Sequence, residues 1–488
     1  MRFLISLYLP LLSLEALRPC WSEPGKFAVM EHGQVRAVSA LAAADGVTPG
    51  MRQAGVAALS PDTVTLERNP AREDEAMSAL ALASMRFTPE VAPQPDFGLL
   101  LDVGASLRLF GGHRPLCRQV RESARQLGFT VSLGAAPTAG GAWLLARAPI
   151  GRRPPRRRCA RLDTLGKLLD RLGARSLAAA GPHLDWLRGI GAADLAALRR
   201  LPRPGLQRRT GAQLLQELDR AYGDSQEMHR WIAVKPQFAE YIETFERVEH
   251  AEALMHGATA LILQMTGWLT AQQLAVAAFA LDLEHERGRA AVAPTTLEIR
   301  LGEPTWKEPH LLRLLKERLA KVELTSPVIA LRLRALDLQP MLPPTDQLFP
   351  EPGGSPEDFT RLLEVLSARL GPENVLTPAL ASDHRPENCN SWVPATAKPA
   401  RGAGDPDQLA RPSLLLPKPI RLLMRDNRPF YTSALRLIKG PERIEAGWWN
   451  DQTVGRDYYI AQGADTTCYW IFLERSQEAQ WYLHGLYG

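Results

Sequence analysis

Two acids, Asp96 and Asp102, flank the most strand-like run of this 488-residue chain, and carboxylates beside a buried strand are a usual means of holding divalent cations. The stretch from Asp96 to Gly112 reads DFGLLLDVGASLRLFGG. Leu99 to Val103 form an apolar run suited to a strand buried on both faces, and Gly104, Gly111 and Gly112 supply the turns that follow. Phosphoryl transfer with two divalent ions needs several carboxylates for the metals and basic groups for a triphosphate. Two acids alone do not meet that need. Side chains alternate across a strand, so Asp96 is expected to face away from Phe97, as a solvated residue at the strand end.

The elements that must position such a site occupy a long chain. Its length suggests about three or four domains. Lys and Arg number 58 against 53 Asp and Glu, a balance that permits a polyanionic partner without demanding one. Cys20, Cys117, Cys159, Cys389 and Cys468 lie far apart with no Cys-x-x-Cys pair, which indicates neither a zinc site nor a disulfide framework and fits a reducing cytoplasm. The leucine-rich start, MRFLISLYLPLLSLEALRPC, is interrupted by Pro10 and Glu15 and lacks a small-x-small cleavage pattern. A strand over residues 2–9 followed by a helix over 11–17 is therefore expected there, with a secreted or lipid-anchored protein beginning at Cys20 as a competing class. No segment offers the roughly 18 uninterrupted apolar residues of a membrane span.

The central stretch resembles the palm motif of Y-family (UmuC/DinB-like) DNA polymerases, Ser-x-Asp-Glu-Ala-x-Leu-Asp-Val before a Leu-Phe-Gly turn. Laying Leu101-Asp102-Val103 on that ending puts Phe97 and Gly98 where the family carries its catalytic Asp-Glu pair. The first strand resembles the family's Asp-x-Asp-x-Phe-Phe-Ala-x-Val-Glu run; anchoring on Glu15 puts Ser6 and Tyr8 on the two Asp positions. Residues 26–66 resemble the fingers, read as a strand, a small-residue helix and a Gly50-Met51 turn. The Tyr and Arg that hold the triphosphate there fall on Ala40 and Ala43. VSLGAAPTAGGAWLLARA resembles the segment whose phosphate-binding Lys falls on Ala139. Four segments keep their apolar and Gly/Pro frame and have lost the groups that touch metal or triphosphate.

Beyond the palm, GRRPPRRRCAR (151–161) is an arginine-rich connector, read as a solvated linker or a phosphate contact. HLDWLRGIGAADLAALRRLP reads as two helices joined by Gly189-Ile190-Gly191, similar to the polymerase thumb; such a hairpin can present backbone N–H groups to a DNA phosphate, with Arg199, Arg200, Arg208 and Arg209 beside it. Residues 236–341 show the order β-α-β-β-α-β, the split-βαβ arrangement that resembles the family's little finger. Lys316, Lys321, Arg332 and Arg334 are its candidate phosphate contacts, or simply charged residues on solvated faces.

The following loop carries Gln347, Leu348 and Phe349, whose ending resembles bacterial clamp-binding peptides; the competing reading is a residue pair packing on its own domain. Residues 385–412 read as a linker. Residues 413–488 hold 12 of the 33 aromatics and read as a β-rich module, in which Trp448, Trp449, Arg456, Asp457, Tyr458 and Tyr459 are either a partner surface or the core of a small domain.

The resemblance extends over nearly the whole chain to the ImuB-type, catalytically inactive branch of the Y family. It implies an α/β (α+β) architecture: palm over 1–155 with fingers inserted at about 10–66, helical thumb over 156–232, little finger over 236–341, clamp-motif loop and helix over 342–384, linker over 385–412, and C-terminal partner-binding module over 413–488. It further implies a cytoplasmic adaptor in damage-induced translesion synthesis, without cofactor or resident metal. That adaptor would bind DNA and the β sliding clamp and recruit an error-prone C-family polymerase and a RecA-related, ImuA-like protein. An active translesion polymerase with displaced acids such as Asp96 and Asp102 is the rival expectation.

Overall fold

In the computed structural model, which describes residues 2–149, 156–286, 293–324, 326–341, 356–381, 383–395, 411–448, 453–475 and 479–487, the chain opens with strand β1 (Leu4–Tyr8) and a single helical turn, α1 (Leu12–Glu15). The stretch read as one strand after Lys26 is a hairpin, β2 (Phe27–Glu31) and β3 (Gln34–Val38), because His32 and Gly33 both adopt positive φ and reverse the chain between them. Helices α2 (Ala40–Ala44) and α3 (Gln53–Leu59) lead to β4 (Val64–Glu67), which pairs parallel with β2 to complete a small three-stranded sheet. Next come α4 (Pro70–Ser84), β5 (Val91–Gln94), β6 (Gly98–Asp102), α5 (His113–Gln126), β7 (Ser132–Ala136) and α6 (Ala139–Arg147).

The central sheet runs β5-β6-β1-β7, antiparallel throughout. Alternation sorts its side chains cleanly. Ile5 and Leu7 of β1, Leu99 and Leu101 of β6, and Leu133 and Ala135 of β7 join one core with α4 and α5. Leu4, Ser6 and Tyr8 point to the other face, where Leu4 and Leu100 pack with Ala139 of α6. The sheet is thus buried on both sides, as the unbroken Leu99–Val103 run requires.

A helical region follows: α7 (Leu162–Leu169), α8 (Leu184–Gly189), α9 (Leu195–Arg200), α10 (Arg203–Thr210) and α11 (Ala212–Tyr222), built around its own leucine-rich core. A second sheet is formed by β8 (Ala239–Val248), β9 (Leu274–His285), β10 (Thr295–Thr305) and β11 (Val328–Pro340), with α12 (Met255–Gln272) and α13 (Glu308–Leu319) as its crossovers. Its order is β10-β9-β11-β8, every neighbouring pair antiparallel. β8 and β9, joined by α12, are therefore parallel with β11 between them; β10 and β11, joined by α13, are parallel with β9 between them. These are two interlocked split-βαβ units.

Residues 1–361 form one compact unit. Within it, α12 seats on α4 so closely that a Cβ at Gly267 would lie 1.9 Å from the carbonyl oxygen of Leu82. Ala260 and Leu263 of α12 enter the core beneath the central sheet, Trp21 stacks on His256 at 4.9 Å, and Arg72 and Arg86 pair with Glu243 and Glu308 across the same junction.

The second unit, residues 362–488, takes up most of α14 (Pro356–Leu370), then a ribbon of β12 (Leu376–Leu380) and β13 (Asn390–Pro394). The linker expected over 385–412 is thus ordered strand at its start, because Asn390–Pro394 pairs with Leu376–Leu380 along its whole length. The aromatic-rich end adds β14 (Leu414–Arg421), a small hairpin of β15 (Leu423–Arg425) and β16 (Arg428–Phe430), β17 (Arg436–Ala446), β18 (Val454–Gln462), β19 (Cys468–Glu474) and β20 (Gln480–Leu486). The five long strands order as β14-β20-β19-β18-β17.

Gly267→Ala is expected to destabilise residues 1–361 by about 1 to 3 kcal/mol, since neither helix backbone can yield to a methyl at that approach. Urea denaturation of the purified variant measures it.

Candidate functional site

Three of the four positions read as former acid sites, Ser6, Tyr8 and Gly98, lie at the α6-covered face of the central sheet, whereas Phe97 packs on the opposite core. Ser6 is wholly buried between Leu100 of β6 and Gly134 of β7, its Cα partners in the ladder, and its hydroxyl has no hydrogen-bond partner. Tyr8 lies edge-on to Trp143 of α6 at 5.7 Å, with the Arg147 guanidinium 5.5 Å from its ring centroid. Gly98 is opposite Tyr8, and a Cβ built on it would fall 2.6 Å from the Trp143 ring. The indole fills the space that a side chain at 98 needs.

The expectation that Asp96 and Phe97 alternate along a strand is corrected. Both occupy the turn between β5 and β6 with φ of 52° and 61°, so strand alternation does not govern them. Phe97 folds back on the core, its carbonyl accepts the Leu9 N–H at 3.2 Å, and Arg36 and Arg68 approach its ring at 5.8 and 5.9 Å. Asp96 pairs with Arg147 at 3.0 Å. Asp102 accepts the Gly104 N–H at 3.1 Å and Arg2 Nε at 3.3 Å. Asp96 lies in the turn before β6 and Asp102 is its last residue, so roughly 13 Å of extended chain from Gly98 to Asp102 lies between them. Paired ions stand about 3.5 to 4 Å apart, too close for acids at opposite ends of this strand to hold them jointly. Among the described residues no three His, Cys, Asp or Glu side chains are grouped to hold a metal. The residues present do not fit the two-ion centre that the resemblance to polymerases would imply.

The triphosphate side is also occupied from within. Ala139 is buried at the first turn of α6, whose N-cap Thr138 accepts the Gly141 N–H at 3.1 Å. The next amide, Gly140, donates to Glu227 Oε1 at 3.1 Å, so a carboxylate of the chain itself sits at the positive end of this helix. Burial raises the Glu227 pKa above the ordinary carboxylate value, and the Gly140 amide opposes that rise. His229 lies 3.6 Å from the same carboxylate, and Trp231 packs against Leu4, Leu100 and Ala139. Ala40 and Ala43 lie in α2, away from charged partners of their own. Sequence reasoning missed Trp143, Arg147 and Glu227; the one local signal was the charged and aromatic run QEMHRW in an otherwise plain connector.

The candidate nucleic-acid contacts divide into separate surfaces. Gly189 ends α8, Ile190 is exposed and Gly191 takes φ of 78°, as a helix hairpin requires. The amides of Ile190, Gly191 and Ala192, however, donate to the carbonyls of Trp186, Arg188 and Leu187. They close α8 rather than stand ready for phosphate, which corrects the expected use of this turn. Arg199 is engaged too: it lies 3.9 Å over the Tyr222 ring and 3.5 Å from Asp170. Arg200 and Arg208 fold back on backbone carbonyls, and Arg209 lies 5.7 Å from Trp186. On the second sheet, Arg334 makes a two-point pair with Asp282 and Arg332 pairs with Glu284, both on the face without helices. Lys316 and Lys321 stand exposed on the helical side, so the four do not form one patch.

Gln347, Leu348, Phe349 and Trp449 lie outside the described residues. Of the remaining C-terminal candidates, only Trp448 is exposed, at 76%. Of the two readings for the others, a partner surface or a domain core, the burial of Asp457 and Tyr458 and the partial burial of Arg456 and Tyr459 favour the core. Tyr458 is 1% exposed, stacked on Trp470 at 4.1 Å and hydrogen-bonded to His484 Nδ1 at 2.8 Å. Arg456 reaches Glu387 at 3.0 Å, Asp457 pairs with Arg443 at 2.8 Å, and Tyr459 packs on Trp481. Alternation along β18 does not separate a partner face from a core here, because both faces of the sheet carry aromatic clusters.

Residues 21–147 match the impB/mucB/samB family. Protein ImuB of Caulobacter vibrioides, found in two strains, is 28% identical over 476 residues, covering 91% of this chain and all of the relative. The chain carries an impB/mucB/samB-type domain and is a homologue of ImuB. Two solved structures, a Dbh ternary complex and an insertion ternary complex of Dbh DNA polymerase, align over 68% of this chain and 98% of their own, at 16% and 14% identity with TM-scores of 0.38 and 0.39. A match over 91% of the chain reaches into both units.

Two outcomes test this packing. Ser6→Ala removes a buried hydroxyl without a partner and is expected to stabilise the chain by about 1 kcal/mol, read by urea denaturation. Burial holds the His484 pKa down at about 4 against an ordinary 6.5, so its imidazole stays neutral in the fold. That contribution is complete above about pH 6.5 and is lost as pH falls toward 4, up to about 3 kcal/mol. Denaturation followed by tryptophan fluorescence should show that loss in the parent chain and a flatter acid limb in His484→Gln.

Proposed function

We propose that the chain is a non-catalytic, polymerase-like adaptor in damage-induced translesion DNA synthesis, which binds DNA and the β sliding clamp and brings an error-prone C-family polymerase and an ImuA-like, RecA-related protein to the lesion. The observation that carries the reading is the Trp143 indole standing where a side chain at 98 would be, beside a buried Ser6 and a Tyr8 held between Trp143 and Arg147. Nucleotidyl transfer needs carboxylate oxygens converging on two ions, and this face supplies rings, a hydroxyl and an internal ion pair instead. Homology to ImuB over both units supports a role for the whole chain, including the C-terminal sheet.

In this reading the polymerase frame is kept for what it holds. Arg200, Arg208, Arg209, Lys316 and Lys321 are exposed cations suited to a phosphate backbone, and the Gln347-Leu348-Phe349 loop is a short peptide with two apolar anchors for a clamp groove. The rival reading, an active enzyme with displaced acids, would have to use Asp96 and Asp102, which are held apart by β6 and paired with Arg147 and Arg2.

Purified protein supplied with a primed template, all four deoxynucleotides and Mg²⁺ or Mn²⁺ is expected to leave the primer unextended; template-directed extension contradicts the adaptor. Leu348→Ala combined with Phe349→Ala is expected to weaken binding to the sliding clamp by at least about tenfold, as loss of two buried anchors predicts. Unchanged affinity by surface plasmon resonance removes the clamp from the reading.

A further inference from the structure

The α5 helix carries a feature that the cleft does not use. Arg114, Arg118, Arg121 and Arg125 recur at spacings of four, three and four, which places them on one side of the helix. The opposite side, Leu116, Val120 and Ala124, is buried in the core under the central sheet. All four arginines are exposed, and among the described residues none makes an ion pair. Other arginines of the same region are paired, among them Arg68 with Glu31 and Glu73, Arg72 with Glu75, and Arg147 with Asp96. Glu122, four residues after Arg118, is the acid on the same helix, and the like-charge pairs Arg114/Arg118 and Arg121/Arg125 at (i, i+4) work against the free protein.

The stripe is widened by the arginine-rich connector. Residues 157–159 run along the outer edge of β7, where Ala135 N donates to the Arg157 carbonyl and Cys159 N to that of Ala135, both at 2.9 Å. Arg157 turns inward, its guanidinium bonding the carbonyls of Ala146 and Ala148. That anchoring leaves Arg156 and Arg158 exposed, with Arg158 beside Cys117 of α5. The surface therefore combines six exposed cations that make no ion pair among the described residues, four from α5 and two from a segment bridged to the edge of β7.

We propose that this face binds the phosphodiester backbone of a nucleic-acid strand, as a second site separated by the full thickness of the central sheet from the α6 side. The four helix arginines span roughly 16 Å, the axial length of about five nucleotides of one strand. No large aromatic stands among them, which favours a backbone contact without base readout over a protein interface built on apolar anchors. The inference does not depend on the adaptor reading, since an active polymerase would present the same stripe.

The test uses the full chain and a fluorescein-labelled oligonucleotide, as a single strand and as a duplex, followed by anisotropy across a series of NaCl concentrations. Arg114→Gln/Arg118→Gln/Arg121→Gln/Arg125→Gln is expected to lose about tenfold or more in affinity and to reduce the salt slope by about 3 to 4. Its thermal midpoint should be unchanged or raised, because like-charge neighbours are removed. Arg208→Gln/Arg209→Gln should act additively with it, as a separate site requires. A larger loss with the single strand or with the duplex identifies which form occupies the face. Affinity and salt slope equal to the parent chain overturn the proposal. So does loss of binding to poly-glutamate with DNA binding intact, which assigns the face to an acidic protein.

Discussion

The close seat of α6 on the central sheet is the contact on which the remaining architecture rests. A Cβ at Gly134 of β7 would fall 2.1 Å from the Ala142 carbonyl oxygen, so the helix backbone meets the strand backbone with no side chain between them. Two consequences follow from one approach. The far side of α6 receives α11, with Thr138 Oγ1 donating to the Ala221 carbonyl at 2.8 Å, which fixes the helical region against the sheet. The near side delivers Trp143 onto Gly98 and Tyr8. Close packing makes this hard to reverse by a single change, because an added side chain at 98 must displace an indole already held by its neighbours.

Electrostatics on that face has been turned inward in the same way. The N-terminal turn of α6 would attract an anion from solution, and Glu227 supplies one from the chain. Arg147 is balanced by Asp96, and Arg2 by Asp102. Among the described residues, exposed cations without an ion pair include Arg118 of α5, Arg208 of α10 and Lys316 of α13.

How much of this was readable beforehand depended on the kind of signal. The β6 strand was plain from Leu99–Val103, and the β-α-β-β-α-β order over 236–341 followed from alternating periods of apolar residues. The hairpin at His32-Gly33 was missed because a two-residue turn with positive φ leaves little trace in hydropathy. The Asp96-Phe97 turn was read as strand for the same reason. The residue types at Ser6, Tyr8, Phe97 and Gly98 were legible in the sequence, whereas their neighbours Trp143, Arg147 and Glu227 were not, because tertiary packing brings them from other segments. Tyr458 and Arg456 were the opposite case: residue types enriched at interfaces are equally those that fill an aromatic core, and only burial separates the two.

The proposed adaptor role requires that Ser6, Tyr8, Phe97 and Gly98, with Trp143 packed on Gly98, bind no catalytic metal ion. Electron paramagnetic resonance of Mn²⁺ added to the chain with primed template and deoxynucleotide reads that claim directly. The account predicts that the signal of the free aquo ion stays undiminished beyond what template and nucleotide alone remove. Stoichiometric uptake by the protein that Asp102→Asn abolishes would contradict it.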